Sequence, residues 1–266
     1  MNKTMYKGFN TPIQPSPAIW ANCPILEMAL DPTVGFGIYE DFANFANAAS
    51  ATAVAHLSKG WTGYTDAGGT IVDAAIIGGG KTFASDGDDE GAAICASSQP
   101  FIITRYGGEF WFEACLQVSA IDNTKNGIFV GLMDSQTLSA TVPIAAAGTL
   151  ADANIVGFHR LEADGDKLDT VYKADGVTQV TVKADAITLV AATDVKVGMR
   201  FTPDDGYLRF YKDGVELADK KLIPNSTGLD FPDDISMGPV FALLNATGST
   251  PGSATLKWIR AYQRYV

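Results

Sequence analysis

Apolar and polar residues alternate with a period of two through much of the chain, most completely from Arg200 to Leu217, RFTPDDGYLRFYKDGVEL. Asp213-Gly214 stands between two alternating runs, and Asp-Gly with positive φ at both central positions is the favoured two-residue hairpin turn. Counting outward sets Lys212 opposite Val215 and Phe210 opposite Leu217, so Leu208, Phe210, Val215 and Leu217 share one face. Tyr207, Arg209, Tyr211 and Glu216 share the other. One apolar and one polar face define an antiparallel sheet with one side on a core. The arrangement recurs where Leu168 to Ala174 and Val177 to Lys183 flank Asp175-Gly176.

The pattern predicts further strands over Thr70 to Ile77, Lys81 to Ser85, Ala92 to Ala96 and Phe101 to Arg105, separated by glycine-rich, acidic or proline-containing turns. In Glu109 to Val118, Phe110, Phe112, Leu116 and Val118 alternate with Glu109, Glu113 and Gln117. Gly127 to Met133 is a continuous apolar run, the mark of a strand buried on both faces. Asn154 to Leu161, Lys196 to Thr202, Met237 to Leu244 and Thr255 to Tyr265 complete the strands, and Thr137 to Leu150 reads as a rim loop or short helix. The alanine-rich stretch 38–60 is open between a short helix around Phe42 and Phe45 and a first strand beginning at Asp41-Phe42. With no low-complexity linker after residue 38, residues 38–266 read as one all-β sandwich domain of two packed antiparallel sheets.

Residues 1–37 have a different character. Pro12, Pro15, Pro17, Pro24 and Pro32 punctuate them, and proline cannot donate to a sheet ladder. Trp20, Ile25, Leu26 and Phe36 make the segment too apolar for a free linker. It reads as an extended arm that docks, either across its own domain or on a neighbouring subunit, with these four residues as partner-binding candidates.

The chain has 266 residues, 47% hydrophobic and 18% charged, enough apolar material for a sizeable core. Its formal net charge of -11 excludes nucleic acid as the expected partner, because phosphate binding needs clustered lysine and arginine. The N-terminal residues have no apolar h-region of a secretory signal, and no window approaches a membrane span. Cys23, Cys95 and Cys115 are odd in number and widely spaced, so reduced, buried thiols and a cytoplasmic origin are expected.

Candidate chemistry is sparse. Gly78-Gly79-Gly80-Lys81-Thr82 resembles the end of a phosphate loop, but Ala75 replaces the earlier glycine and no helix pattern follows, so a turn is expected. Asp86, Asp88, Glu90 and Gly91 match the first half of a calcium loop, whose twelfth position holds Ser97 instead of glutamate. No cofactor is expected, with irregular calcium binding by acidic loops, including Asp164, Asp166, Asp169, Asp233 and Asp234, as the alternative. Glu109 and Glu113 lie about 13 Å apart along a strand, too far for paired-carboxylate glycoside hydrolysis, which predicts a solvated polar face and no catalytic residues. His56 and His159 lack a nucleophile context, and no enzyme is expected. Sequons stand at Asn225 and Asn245. Strand aromatics are core residues first, but Trp111, Tyr207 and Tyr211 on polar faces are glycan-binding candidates.

The segments FWFEACLQVS, GIFVGLMDS, VYKADGVTQV, LRFYKDGVEL and LKWIRAYQRY, in this order, resemble the concanavalin A-like (laminin-G-like) jelly-roll sandwich. The closing strand is similar to that of the family's glucanases, whose ExDxxE or ExDxE acidic motif is absent here. The proline-punctuated arm, the EDF segment, the DDEGAAI loop and the FWFEA strand resemble virion structural proteins of tailed bacteriophages. That resemblance implies a capsid decoration or cement protein, assembled in the bacterial cytoplasm as a homo-oligomer and docked on the major capsid protein lattice through its arm. A lectin-like module of a head or tail fibre that binds host glycans is the alternative.

Overall fold

The computed structural model describes residues 15–49, 55–58, 60–76, 79–86, 91–98, 100–122, 126–134, 138–139, 142–145, 149–224, 230–245 and 252–265. Two short helices come first, α1 (Pro17–Trp20) and α2 (Ile25–Leu30). The strands follow in order: β1 (Gly35–Glu40), β2 (Ala48–Ala49), β3 (Ala55–Ser58), β4 (Trp61–Thr65), β5 (Thr70–Asp73) and β6 (Lys81–Ala84). Then come β7 (Gly91–Ala96), β8 (Phe110–Val118), β9 (Asn126–Met133), β10 (Ile155–Arg160), β11 (Lys167–Lys173) and β12 (Val180–Thr188). The last are β13 (Asp194–Thr202), β14 (Tyr207–Lys212), β15 (Val215–Leu222), β16 (Gly238–Asn245) and β17 (Ser253–Arg264).

These strands pair into two antiparallel sheets. The first runs β15-β14-β13-β8-β17-β6-β5-β2, and the second runs β12-β11-β10-β9-β16-β7-β4-β3. The twelve-residue β17 pairs with β8 along one side; on the other its first half takes β6 and its second half takes β1. Period-two alternation therefore turns Phe110, Phe112, Leu116, Val197, Met199, Phe201, Leu208 and Phe210 of the first sheet inward onto Ile128, Val130, Leu132, Phe158, Phe241 and Leu243 of the second. Phe158 and Phe210 meet edge to face at 5.7 Å, and Phe83 and Phe241 lie 4.6 Å apart. As its continuous apolar run predicts, β9 is buried along its whole length. Phe129 and Met133 point away from the main core and pack with Leu138, Ile144 and Leu150, residues of the rim segment.

Between β9 and β10 the backbones approach closely at the paired Gly131 and Gly157. A Cβ on Gly131 would meet the Val156 carbonyl at 2.2 Å, and one on Gly157 the Val130 carbonyl at 2.4 Å.

Asp213 and Gly214 both take positive φ, and Lys212 pairs with Val215, as the turn residues dictate. Beyond that the register departs from simple counting: an irregularity after Tyr211↔Glu216 brings Arg209 opposite Lys220, and Val215 is 68% exposed. At the earlier Asp-Gly only Gly176 has positive φ, the turn closes from Val177 to Ala174, and β12 resumes at Val180. Of the predicted strand Thr70 to Ile77 the described residues pair only to Asp73, and Phe101 to Arg105 forms no strand but a single bridge from Phe101 to Met237. No helix forms around Phe42 and Phe45: β1 ends at Glu40, Phe42 takes φ 62, and the two rings pack together at 5.1 Å.

Residues 1–14 of the predicted arm lie outside the described residues; from Ser16 the segment docks across its own domain, as two short helices instead of an extended chain. Pro17 occupies the first turn of α1, where its missing N–H is no loss, and the chain then folds into α2 and β1 against its own first sheet.

Candidate functional site

The outer face of the first sheet is built by register. Tyr211 of β14, Gly198 of β13, Glu113 of β8, Arg260 of β17 and Tyr39 of β1 form one row across five strands. Arg209, Arg200, Trp111 and Tyr262 form the next row. These are the residues whose alternation faces away from the core, so an aromatic and charged field lies where solvent is expected.

The arm fills the middle of that field. The Ser16 backbone N–H donates to both carboxylate oxygens of Glu113, at 2.9 and 3.2 Å, and the Trp20 indole N–H donates to Oε2 at 2.6 Å. Trp20 stands edge to face against Tyr262 at 5.8 Å between centroids. Gly198 leaves the opening that α1 needs, since a Cβ there would meet Cδ1 of Ile19 at 2.5 Å. Ile19, Trp20, Cys23 and Met28 of the arm are buried with Trp111 and Tyr211 in one apolar cluster. Each large apolar side chain so buried is worth about 1.5–3 kcal/mol.

Glu113 is fully buried, and burial pushes its carboxyl above the ordinary 4.5. The hydrogen bonds from Ser16 and Trp20 and the positive charge of Lys196 oppose that shift. Arg200 pairs with Glu109 at 3.2 Å and lies over the Trp111 ring, while Arg260 lies over Tyr39 at 4.3 Å. Cys23 lies on the buried side of the arm, where burial raises its thiol well above the ordinary range; Cys115, in the next outward position of β8, is pushed up to about 12.

Between Ser16 and Val34 the arm satisfies its backbone mainly within itself, through bonds such as Cys23 N–H to Trp20, Met28 N–H to Pro24 and Asp31 N–H to Glu27. Among the described residues its backbone reaches the sheet at its two ends, from Ser16 to Glu113 and from Tyr265 N–H to the Val34 carbonyl. β1, by contrast, is laddered to β17 over six residues. Side chains therefore hold the arm as far as Val34, and a sheet ladder holds the chain beyond it.

This placement divides the residues singled out from sequence between the arm's seat and the surface. Trp20 is turned into its own domain, and Phe36 is half-buried with its ring 5.9 Å from Phe101. Ile25 is half-buried against the arm cluster, whereas Leu26 is 59% and Leu30 77% exposed. Trp111 and Tyr211 lie beneath the arm instead of facing solvent, and Glu113 is not solvated. Tyr207 remains half-buried at the surface, with Lys220 at 4.1 Å over its ring and Arg209 at 5.9 Å.

Lys81, the lysine of the glycine-rich turn, is buried and donates to Asn47 at 2.7 Å and Asp73 at 2.5 Å. His159 is buried in β10. Asp166 pairs with Lys167, and Asp169 accepts the Asp185 N–H. Among the described residues no group of three or more His, Cys, Asp or Glu could hold a metal ion. Asp88, Glu90 and Asn225 lie outside the described residues, and Asn245 is buried in β16. No described helix is long and apolar enough to cross a membrane. Sequence reasoning missed Ser16, Ile19 and Gly198 as site residues; the signal present was Ser-Pro ahead of an apolar pair, a helix start.

Two antiparallel sheets packed face to face in this strand order define a concanavalin A-like jelly-roll sandwich. No family model and no curated protein matches the chain. Among solved structures it is similar to an endo-β-1,4-glucuronan lyase from the fungus Trichoderma reesei, with TM-score 0.55, 11% identity, and coverage of 84% of this chain and 94% of that one. It is also similar to a protein of unknown function from Shewanella oneidensis MR-1, with TM-score 0.52, 11% identity and 88% of each chain covered. At such identities the likeness is one of fold alone.

Proposed function

We propose that the chain is a non-catalytic structural protein of a tailed-phage particle, a decoration or cement component that sits on the capsid lattice. The carrying observation is the docked arm. The outer face of the first sheet, which would otherwise offer Trp111, Tyr211 and Glu113 to a ligand, is occupied by the chain's own Trp20 and Ile19. Such a face serves to position an arm, not to hold a substrate open to solvent.

The outward side of the arm, with Leu26 and Leu30 exposed on α2, is the surface assigned to the particle, and the acidic surface overall favours a basic partner. The particle itself comes from the resemblance of the arm, the EDF segment and the FWFEA strand to phage virion proteins. Mass spectrometry of purified particles from the source tests this: a copy number comparable with that of the major capsid protein is expected. Absence from the particle overturns the reading.

A second reading, a lectin-like module of a head or tail fibre, is favoured by one patch the arm leaves uncovered. Tyr207 stands at the surface with Arg209, Lys220, Asp205 and Glu216 around it, an aromatic ring framed by hydrogen-bonding groups. Glycan-array binding that Tyr207→Ala abolishes would establish it; no binding by the wild type would exclude it for the glycans on the array.

A further inference from the structure

We propose that residues 15–34 exchange between copies of this chain, each arm seating its Trp20 on Glu113 of a neighbouring copy. The inference goes beyond the particle reading and does not depend on it.

Three observations lead to it. First, the arm is a separable unit: its backbone bonds are mainly local, and its ties to the sheet are side chains plus one backbone group at each end, the Ser16 N–H on Glu113 and the Val34 carbonyl that accepts from Tyr265 N–H. Its boundary is sharp, because the Asp31–Val34 turn, closed by Val34 N–H to Asp31 and Thr33 to the Asp31 carboxylate, precedes the six-residue ladder of β1. That turn is the hinge.

Second, the seat is specific. It combines the opening at Gly198 for Ile19, the Tyr262 edge for the Trp20 ring, and a buried carboxylate that needs the Trp20 and Ser16 donors. An arm that left without replacement would expose a cluster of apolar side chains and strand Glu113 as a buried acceptor or an abruptly hydrated one. A small polar ligand does not replace Ile19, Trp20, Cys23 and Met28.

Third, the one occupant that restores every contact is the same segment from a second copy. Exchange of identical elements is then nearly neutral in contact energy, which makes it the low-cost route to association. In dilute solution the tethered arm wins through its high effective concentration, and crowding of copies on a surface removes that advantage. The partner that this face fits is therefore another copy of the chain.

The test uses two full-length variants that cannot close on themselves. Ile19→Ala/Trp20→Ala cripples the arm and leaves the seat intact; Gly198→Trp blocks the seat and leaves the arm intact. Once circular dichroism shows both to be folded, light scattering behind size-exclusion chromatography is expected to find each alone as a monomer and their mixture as a 1:1 complex. Two monomers in the mixture overturn the proposal.

A second pair covers the case in which either variant fails to fold. The Ser16 Cβ lies 2.7 Å from where a Gly214 Cβ would stand. Ser16→Cys in one copy and Gly214→Cys in another, mixed at high concentration under oxidation, are expected to give a disulfide-linked dimer on a non-reducing gel. Persistent monomer there means that the arm stays on its own chain.

Discussion

The indole N–H of Trp20 donates to Oε2 of Glu113 at 2.6 Å, joining residues 93 positions apart. Both are buried, and the same carboxylate takes the Ser16 N–H. One acceptor on the central strand of a sheet thus orders the start of the described chain.

Replacing Trp20 by Phe keeps most of the ring and removes the donor. The expected loss is about 1–3 kcal/mol, the cost of leaving a buried acceptor short of a partner. Glu113→Ala should cost more, since it leaves both the Ser16 and Trp20 donors unpaired. Urea denaturation reads both as shifts of midpoint at constant slope. An unchanged midpoint for Trp20→Phe would mean that the bond carries no stability.

Glu113 also predicts a pH dependence. Burial raises its carboxyl in the fold above the ordinary 4.5, so the folded state holds the proton more tightly than the unfolded chain. Its contribution is then fully present below pH 4.5 and is lost as pH rises through the folded value. The facing charges are Lys196 on β13 and Arg260, its cross-strand neighbour on β17; the Cys115 thiol further along β8, pushed up to about 12, adds none, nor do Ser16 and Trp20 of the arm. Wild type minus Glu113→Gln is therefore expected to be most favourable at acid pH and to decline toward neutrality. The opposite slope would show that Arg260, Lys196 and the two donors together hold the carboxylate as an anion.

Gly198→Ala places a methyl carbon 2.5 Å from Cδ1 of Ile19. Because that atom ends a side chain, the arm shifts instead of the sheet, at a cost of about 1–3 kcal/mol. Adding Ile19→Ala relieves the clash, so the double mutant should lose less than the sum of the two single changes. Strict additivity would place Ile19 elsewhere.

At Gly131 the neighbour is backbone and cannot yield. Ala at that position is expected to cost about 3 kcal/mol or more, at the upper end of overpacking. A thermal melt within a degree or two of the wild type would contradict the pairing of Gly131 with Gly157.

The fold was legible where the signal is local. Phe110, Phe112, Leu116 and Val118 alternate and are all inside, and Asp213-Gly214 makes the turn that its positive φ values require. The site was not legible, because alternation reports only that Glu113, Trp111 and Tyr211 face away from the core. Whether water or another segment meets them depends on residues some ninety or more positions away, and no period in the sequence encodes that contact. The glycan candidates Trp111 and Tyr211 lie beneath the arm for this reason, while Tyr207 keeps its place at the surface. The register of β15 was lost for a smaller reason: the irregularity beyond Tyr211 leaves no mark in the alternation.

Whether Trp20 is seated on Glu113 in solution is read from the indole N–H resonances of the chain's four tryptophans in ¹⁵N-labelled protein. Trp20, assigned by its disappearance in Trp20→Phe, is expected to give a downfield, slowly exchanging signal that moves when Glu113 is replaced by Gln. A Trp20 signal at the random-coil position, exchanging freely with water and indifferent to Glu113→Gln, would mean that the indole is not seated on Glu113.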